Sequence, residues 1–257
     1  MDQARVAERT PAAAAAEMEA RARLPPCGAE RFSGYGVIGP PFAFGHVLAL
    51  RRWPASSIGP GYTSVWHRDP GGRWTFWADA EPALACARYT RRIAAAAPVA
   101  AIRIEWIGPF SLVVVVPDAA LEWRLRLAHT AATRALSRVA GRLPEAAWGS
   151  PAVLAGMGAV GGRLPEAGRL GLRGRMPNGQ WFRGSPRRVW AVEGSGAVLA
   201  GRDLGPPGPL AHQARVGDFR IPRRGLFAVG QACFQPPEPA RPPAPAPLAS
   251  AMAGRAP

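Results

Sequence analysis

The chain contains no lysine, and all 32 of its basic residues are arginine. A Schiff-base enzyme, a pyridoxal-phosphate anchor and a Walker-type phosphate loop each depend on a lysine amine. None of these sites can be built from the residues of this chain, so the functions that depend on them are excluded.

Acidic residues are also few, 17 against 32 basic ones, and the formal net charge is +15. Such an excess is typical of proteins that bind nucleic acid, anionic lipid or an acidic partner. Alanine, glycine, proline and arginine dominate the composition, however, and all of them have GC-rich codons. A coding bias explains the arginine excess at least as well as phosphate binding does, so the charge alone does not predict a nucleic-acid partner.

The chain has three cysteines, far apart at Cys27, Cys86 and Cys233. The odd number, together with an N-terminal stretch that lacks the apolar run of a signal peptide, predicts reduced thiols in a cytoplasmic protein. No window reaches the about 18 apolar residues that a membrane-spanning helix needs. Neither cysteines nor histidines have the spacing of zinc ligands, so we expect no metal and no cofactor. The histidines are His46, His67, His129 and His212.

Both ends of the chain differ in composition from its middle. Residues 10–24 predict a helix with Thr10 as its N-cap and a Pro-Pro stop after it. Because the helix is alanine-rich and has little to bury, we expect residues 1–29 to form a peripheral arm. Residues 236–257 hold eight prolines and predict a disordered tail. A single folded domain of residues 30–235 remains.

The middle of the chain predicts short strands separated by Gly/Pro turns. In "LEWRLRLAH", leucine and tryptophan alternate with glutamate and arginine, the pattern of a strand with one buried face. Many such strands predict a mainly β fold, an antiparallel β-barrel or sandwich. The predicted strands lie in 44–53, 101–116 (a hairpin), 121–129, 169–175, 180–192, 197–202, 218–222 and 226–234.

Residues 130–168 interrupt the strands with the pattern of a helical hairpin. On the first helix Arg134, Arg138 and Arg142 form a stripe beside an apolar face. Two interpretations stay open: the hairpin covers the sheet with its arginines in water, or the striped helix lies on an anionic membrane surface. The apolar residues at helical spacing are Leu136, Val139 and Leu143 in the first helix, and Val153, Leu154, Met157, Val160 and Leu164 in the second.

The segment "SVWHRDPGGRWTFWAD", residues 64–79, predicts a β-hairpin that turns at "DPGG". Its register pairs Asp69 with Arg73, and Arg68 stacks on the aromatic rings of its own face. Two roles stay open for His67, a structural one on a polar face or general acid–base catalysis in a pocket. One predicted face consists of Trp66, Arg68, Trp74 and Phe76, and the other of Val65, His67, Asp69, Arg73, Thr75 and Trp77.

Two strand segments carry a resemblance to a known group. "IEWIGPFSLVVVV" followed by "LEWRLRL" resembles the lipocalin-like folds of the carotenoid hydratase and AttH group, over residues 100–128 and 169–234. The resemblance implies a barrel that encloses an apolar ligand. In that group the hydration of an isoprenoid double bond is attributed to acidic, histidine and aromatic residues, none of which is carried over to a position in this chain.

The leading hypothesis is therefore the binding of a hydrophobic small molecule, such as an isoprenoid, a polyketide or a lipid, in a β-barrel pocket. An alternative is an acid–base enzyme, a hydratase, cyclase or isomerase, on the same scaffold. A third is a peripheral membrane protein that works through Arg134, Arg138 and Arg142. The oligomeric state is not predicted. The candidate ligand-binding residues are His46, Trp66, Trp74, Trp77, Trp106 and Trp123, and the candidate catalytic residues are His67, Asp69, Glu105 and Glu122.

Overall fold

The structure is a computed structural model that describes residues 10–27, 30–162 and 168–235. The predicted tail lies outside the described residues. The strands are β1 Glu30–Pro41, β2 Val47–Ser56, β3 Tyr62–Arg68, β4 Trp74–Ala78, β5 Ala94–Ala96, β6 Arg103–Gly108, β7 Ser111–Val116, β8 Leu121–Ala128, β9 Arg173–Arg175, β10 Trp181–Leu199, β11 Arg202–Asp203, β12 Arg215–Val216, β13 Phe219–Arg220 and β14 Leu226–Phe234. The α-helices are α1 Pro11–Arg21, α2 Ala87–Thr90, α3 Ala131–Arg142 and α4 Pro151–Gly162.

Twelve of these strands form one sheet. Its main path runs β5-β4-β3-β2-β1-β14-β10-β8-β7-β6, and β9 and β11 add to β10. Neighbours along the path are antiparallel, except that β4 and β5 are parallel. The prediction of a mainly β, largely antiparallel fold with a helical hairpin insertion is confirmed.

The two ends of the sheet curl back toward each other. Residues 97–102 alone connect β5 to β6, the strands at opposite ends of the path. Laid flat, such a path would separate its end strands by roughly 40 Å, whereas so short a connection spans at most about 25 Å. The sheet must therefore curve strongly. It is not a closed barrel, because β5 and β6 do not pair with each other.

The inner face of the curl encloses a core to which both halves of the sheet contribute. Val65 and Trp77 come from β3 and β4, while Leu112 and Trp123 come from β7 and β8. Side chains that are far apart along the path thus meet in one cluster. Burial of this apolar surface is what holds the curl, since each such side chain contributes about 1.5–3 kcal/mol when it leaves water.

Helix α1 belongs to this core and is not the peripheral arm that its alanines predict. Ala14 and Ala15 are buried in it, because small side chains let the helix lie close to the sheet. Glu19 accepts hydrogen bonds from the Tyr35 hydroxyl at 2.8 Å and from two nitrogens of Arg52 at 2.9 Å each. Burial would raise the pKa of Glu19, but these hydrogen bonds outweigh burial and lower the pKa.

Two of the three cysteines are joined. Cys27 and Cys233 form a disulfide that ties the segment after α1 to β14, while Cys86 is a free, buried thiol. The prediction of reduced thiols is therefore wrong for two of them. Because disulfides persist in oxidising compartments, the cysteines no longer support a cytoplasmic location. Among the described helices, none has both the length and the apolar character needed to cross a membrane.

Most predicted strands are confirmed, but one central strand was missed and one strand boundary is wrong. The central strand β1 was not predicted, because "ERFSGYGVIGPP" holds three glycines and two prolines, which disfavour strands. The predicted strand 180–192 and the first part of the predicted strand 197–202 belong to one strand, β10, which ends at Leu199; a turn follows, and Arg202 begins β11. Register shifts between Pro186 and Arg188 and between Val192 and Gly194 mark two bulges in β10, which resemble turns in the sequence.

Glycine is required where the middle strands bend. At Gly34, Gly36 and Gly230 an added Cβ would lie 1.9, 2.1 and 2.3 Å, respectively, from a carbonyl oxygen of a neighbouring strand. No side chain fits at these distances. The same glycines that hide β1 from a sequence-based prediction are therefore the residues that allow its close approach to β2.

Gly34→Ala is expected to lower the free energy of unfolding by about 1–3 kcal/mol or more, because the new Cβ would overlap the backbone oxygen of Arg52. The matched control is Gly196→Ala on β10, where an added Cβ meets nothing within 4 Å. That variant is expected to stay within about 0.5 kcal/mol of the wild type. Denaturant unfolding measures both, and equal effects would contradict the close-approach explanation.

Candidate functional site

The middle of the outer face of the sheet is built from glycine and alanine, and we call it the small-residue floor. Side chains two residues apart on a strand share a face, so these positions all look outward. The register places Gly34 opposite Gly230 and Gly36 opposite Ala228, and Gly184 lies opposite Ala232. The floor consists of Gly34 and Gly36 on β1, Ala228, Gly230 and Ala232 on β14, and Gly184 on β10.

A second layer spans this floor and leaves a cavity of about 170 Å³ beneath it. Met157 of α4, Leu170 and Phe219 belong to the covering layer, and Trp53 and Phe182 stand beside the floor. The cavity exists because glycine and alanine cannot fill the space below these larger side chains. It lies outside the curl, on the opposite side of the sheet from the inner core that was expected to hold a ligand.

Helix α4 can form part of the cover because it carries glycines where it meets the chain that follows it. An added Cβ would lie 2.7 Å from the Leu170 oxygen at Gly158 and 2.8 Å from Leu170 Cδ1 at Gly161. The buried face of α4 therefore includes these glycines with Leu154 and Met157. The prediction that Val160 belongs to this face is wrong, since 52% of its surface is exposed, and Leu164 lies outside the described residues.

Helix α3 packs on β10 beside this cover. The hydroxyl of Ser137 accepts a hydrogen bond from Val189 N at 3.0 Å and lies 3.3 Å from Val189 O, close to the first bulge of β10. Leu136 faces the sheet, whereas Val139 is 53% exposed instead of buried as predicted. Arg138 and Arg142 are exposed and Arg134 is half-buried, so the arrangement fits a cover on the sheet. The membrane-surface role of these arginines stays a prediction.

One corner of the cavity is polar and positively charged. Arg51, on the outer face of β2, lines it, and its guanidinium carbon lies 5.3 Å from the ring centres of both Trp66 and Phe219. Burial lowers the pKa of Arg51 to about 10, an effect that charge interactions with Cys86 and Tyr62 oppose. The side chain is therefore still charged at neutral pH.

Hydrogen bonds hold the residues next to Arg51 in place. Trp66 Nε1 donates to Ser64 Oγ at 3.2 Å, and Ser64 Oγ donates to Cys86 Sγ at 3.2 Å. The Tyr62 hydroxyl lies 3.3 Å from the same sulfur. Burial raises the pKa of Tyr62 well above its ordinary value, so the phenol keeps its proton. Arg51, Tyr62 and Cys86 all line the cavity, and we call them the polar corner.

The predicted ligand-binding residues are spread over several sites, and of these six only Trp66 lines this cavity. Trp74 lies in the outer core with Phe76. His46 stacks against His67 at the edge of the inner face. The remaining three pack with the inner core, and they are Trp77, Trp106 and Trp123.

The predicted register of the 64–79 hairpin is confirmed, with Trp66 opposite Phe76 and Asp69 bound by Arg73 at 2.7 Å. Two details differ. The arginine stacked on Trp66 is Arg51 of the neighbouring strand β2, not Arg68, because β2 lies between β3 and the rest of the sheet. Of the face predicted as polar, Val65, His67 and Trp77 are buried on the inner side of the sheet, whereas Asp69 and Arg73 lie at the turn, where Arg73 is exposed.

On that buried face His67 forms a pair with His46. His46 Nδ1 and His67 Nε2 are 2.9 Å apart, so one ring donates a hydrogen bond to the other, and His67 also stacks on Trp77. Burial lowers the pKa of His67 to about 4, and the nearby His46 adds to this while Asp69 opposes it. The pair is therefore neutral at physiological pH.

The other candidate catalytic groups do not share a closed pocket with His67. Hydrogen bonds from Arg73 outweigh the effect of burial and lower the pKa of Asp69, so this carboxylate is already paired. Glu105 is exposed on β6, and Glu122 is exposed on β8 and pairs with Arg124. A catalytic role for these groups stays a prediction that the geometry does not favour.

The small-residue floor was missed because it contains no residue type that marks chemistry. A signal for it is present in the sequence, as small residues alternate in "GYG" on β1 and in "AVGQA" on β14. On a strand this spacing predicts a bare patch on one face. Arg51 gives no comparable signal, because its neighbour Arg52 has the same side chain and the sequence does not tell which of the two faces a cavity.

No protein-family model matches the chain, and no curated protein matches it. Among solved structures, the chain is similar to the crystal structure of acetoacetate decarboxylase from Legionella pneumophila. The two are 11% identical, the match covers 82% of this chain and 88% of that chain, and the TM-score is 0.33. A likeness at that level carries no argument about function, and the lipocalin-like resemblance stays an expectation.

Because the histidine pair is neutral in the folded protein, we expect the free energy of unfolding to decrease as the pH is lowered. Between pH 6.5, the ordinary pKa of histidine, and about 4, its folded value, the unfolded chain binds a proton at His67 that the folded chain does not. Stability is therefore present above pH 6.5 and falls as the pH approaches 4, by roughly 3 kcal/mol from this group.

Denaturant unfolding at a series of pH values measures this dependence. His67→Gln keeps a hydrogen-bonding side chain but does not titrate, so its stability is expected to fall less over the same window. His212→Gln, at an exposed histidine, is the control and is expected to behave like the wild type. A His67→Gln protein with the full wild-type loss would show that the pair does not hold His67 neutral.

Proposed function

We propose that the protein binds a compact apolar small molecule in the cavity above the small-residue floor. The observation that carries the proposal is the cavity itself, of about 170 Å³, lined mostly by apolar and aromatic side chains with a small polar corner. Small-molecule sites are typically concave and apolar with a few polar groups that orient the ligand. The function expected from the sequence is kept, but its place moves from the inside of a barrel to the outer face of the sheet.

The volume of the cavity limits the size of the ligand. An apolar cavity of about 150 Å³ in another protein is known to hold benzene. A cavity of about 170 Å³ therefore suits a molecule the size of a benzene ring with a short substituent, or a short branched chain. It cannot enclose a carotenoid or a long acyl chain, so we propose a smaller ligand than the isoprenoids and lipids that the sequence suggests.

Acid–base catalysis is left out of the proposal, because none of the four candidate groups lines the cavity. Those groups are His67, Asp69, Glu105 and Glu122. The polar corner offers binding groups instead, held by the chain of hydrogen bonds through Ser64 and Cys86. Binding is therefore the function that the geometry supports best.

Toluene is the probe that tests the cavity. We expect it to bind the wild type and to change the fluorescence of Trp53 and Trp66, both of which line the cavity. Gly184→Leu places a side chain in the cavity without a backbone clash, since the nearest atom to an added Cβ at Gly184 is the backbone oxygen of Leu172, at 4.0 Å. This variant is expected to lose toluene binding and to keep or raise its melting temperature.

The matched control is Gly196→Leu, on the same strand, where the added side chain is exposed and has nothing within 4 Å of its Cβ. It is expected to bind toluene as the wild type does. Calorimetric titration of the wild type and the two variants with toluene measures whether the ligand occupies this cavity. Undiminished toluene binding by Gly184→Leu, or no binding by the wild type, would contradict the proposal.

A further inference from the structure

Arg51 and Arg52 are consecutive residues with opposite surroundings. Arg52 faces the inner side of β2 and pairs with Glu19 of α1 at 2.9 Å. Arg51 faces the cavity, where it lies over the rings of Trp66 and Phe219 and interacts electrostatically with Tyr62 and Cys86, and none of these described neighbours is a carboxylate. Among the described residues, Glu19 thus neutralises the charge of Arg52, whereas no carboxylate pairs with Arg51.

The lining of the whole cavity likewise has more positive than negative side chains. Arg51, Arg183 and Arg220 line it, and among the described residues no aspartate or glutamate does. The carboxylate of Glu30, which lies on this side of the sheet, is already paired, because it binds Arg88 at 2.7 Å and also accepts a hydrogen bond from Tyr89. A charge enclosed by apolar groups is costly unless an opposite charge accompanies it. The missing partner of Arg51 is therefore expected to come with the ligand.

Stacking leaves Arg51 able to bind an anion. The guanidinium carbon lies 5.3 Å from the ring centres of both Trp66 and Phe219, whose planes are inclined to each other at 76°. A cation–π contact uses the charge of the guanidinium and not its N–H donors, which therefore stay available. A carboxylate matches these donors because its two oxygens accept parallel hydrogen bonds from the guanidinium fork. Arg183 is less available, since its Nη1 lies 3.4 Å from the Trp148 oxygen as a hydrogen-bond donor.

A single negative charge fits this environment better than two. Arg51 offers one positive charge within apolar surroundings. Arg220 also lines the cavity, but it lies at the rim of a neighbouring open cleft. A phosphate dianion would keep an unneutralised charge in the apolar cavity. A carboxylate would be matched one to one.

We propose that the ligand is a small apolar monocarboxylate, such as an aromatic or short branched acid, whose carboxylate pairs with Arg51 while its apolar part lies on the small-residue floor. This inference rests on the proposed function and adds the charged group of the ligand. Residues of the polar corner orient the acid, and the covering layer excludes water from the ion pair.

Benzoate, benzamide and toluene together test the inference by calorimetric titration at neutral pH. They share a ring that fits the cavity, but only benzoate is charged. Wild-type protein is expected to bind benzoate more tightly than benzamide by roughly tenfold to a hundredfold, the range for hydrogen bonds to a charged partner. Arg51→Gln keeps a planar polar group beside the two rings but removes the charge, and it is expected to abolish that preference while still binding toluene.

Arg68→Gln is the matched control, since Arg68 lies on the neighbouring strand β3 and does not line the cavity. Arg68→Gln is expected to keep the wild-type preference for benzoate. Arg51→Lys is expected to keep a weaker preference, because lysine retains the positive charge but lacks the two parallel N–H donors of the guanidinium. Melting temperatures report whether each variant folds. If Arg51→Gln does not fold, the wild-type ratio of benzoate to benzamide decides the question.

The outcomes separate the two proposals. Wild-type protein that binds toluene but does not prefer benzoate would overturn the monocarboxylate inference and leave the cavity as a site for neutral molecules. A benzoate preference that survives in Arg51→Gln would also overturn it, because the carboxylate would then bind elsewhere. If the wild type does not bind toluene, the proposed function itself fails, and this inference, which rests on it, fails with it.

Discussion

The close approach of backbone strands at Gly34, Gly36 and Gly230 is the constraint on which the rest of the structure depends. A side chain at any of these positions would overlap a carbonyl oxygen of the next strand. Glycine there allows the sheet to bend sharply enough for its two ends to approach each other around the inner core. The same absence of side chains leaves the outer face bare at its middle, and the cavity lies over that bare patch. Curvature and cavity thus have one cause.

The strand β2 shows how two faces of one strand acquire different roles. Leu48 and Leu50 face the inner core, and Arg52 on that side holds α1 through Glu19. On the outer side Arg51 stacks on aromatic rings and keeps its charge without an acidic partner among the described residues. Arg52, whose salt bridge holds α1, and Arg51, whose charge is available to a ligand, are therefore consecutive residues. Alternation along the strand is the physical reason.

Local patterns predicted those parts of the fold that local physics decides. The hairpin of β3 and β4 follows from its turn residues, and its register is as expected. The alternation in β8 follows from its leucines and charges, and each of its leucines and its tryptophan is buried. Predictions failed where the packing contact or the bonded residue comes from a segment that is distant in the sequence. Val139 and Val160 stand exposed because α3 and α4 are rotated toward the contacts that Ser137, Gly158 and Gly161 make with other segments. Cys27 and Cys233 are separated by 206 residues, a pairing that no spacing rule reveals.

The sequence by itself determined the fold class, the positions of most strands, the helical insertion and the exclusion of lysine-dependent chemistry, because periodicity, turn residues and composition are local properties. Tertiary structure decided that β1 is a central strand, that the sheet curls without closing, and that Arg51 rather than Arg68 stacks on Trp66. It also decided where a ligand fits. A cavity is the space that side chains from several strands and helices leave unfilled, and that space is set by which segments become neighbours, not by any one of them.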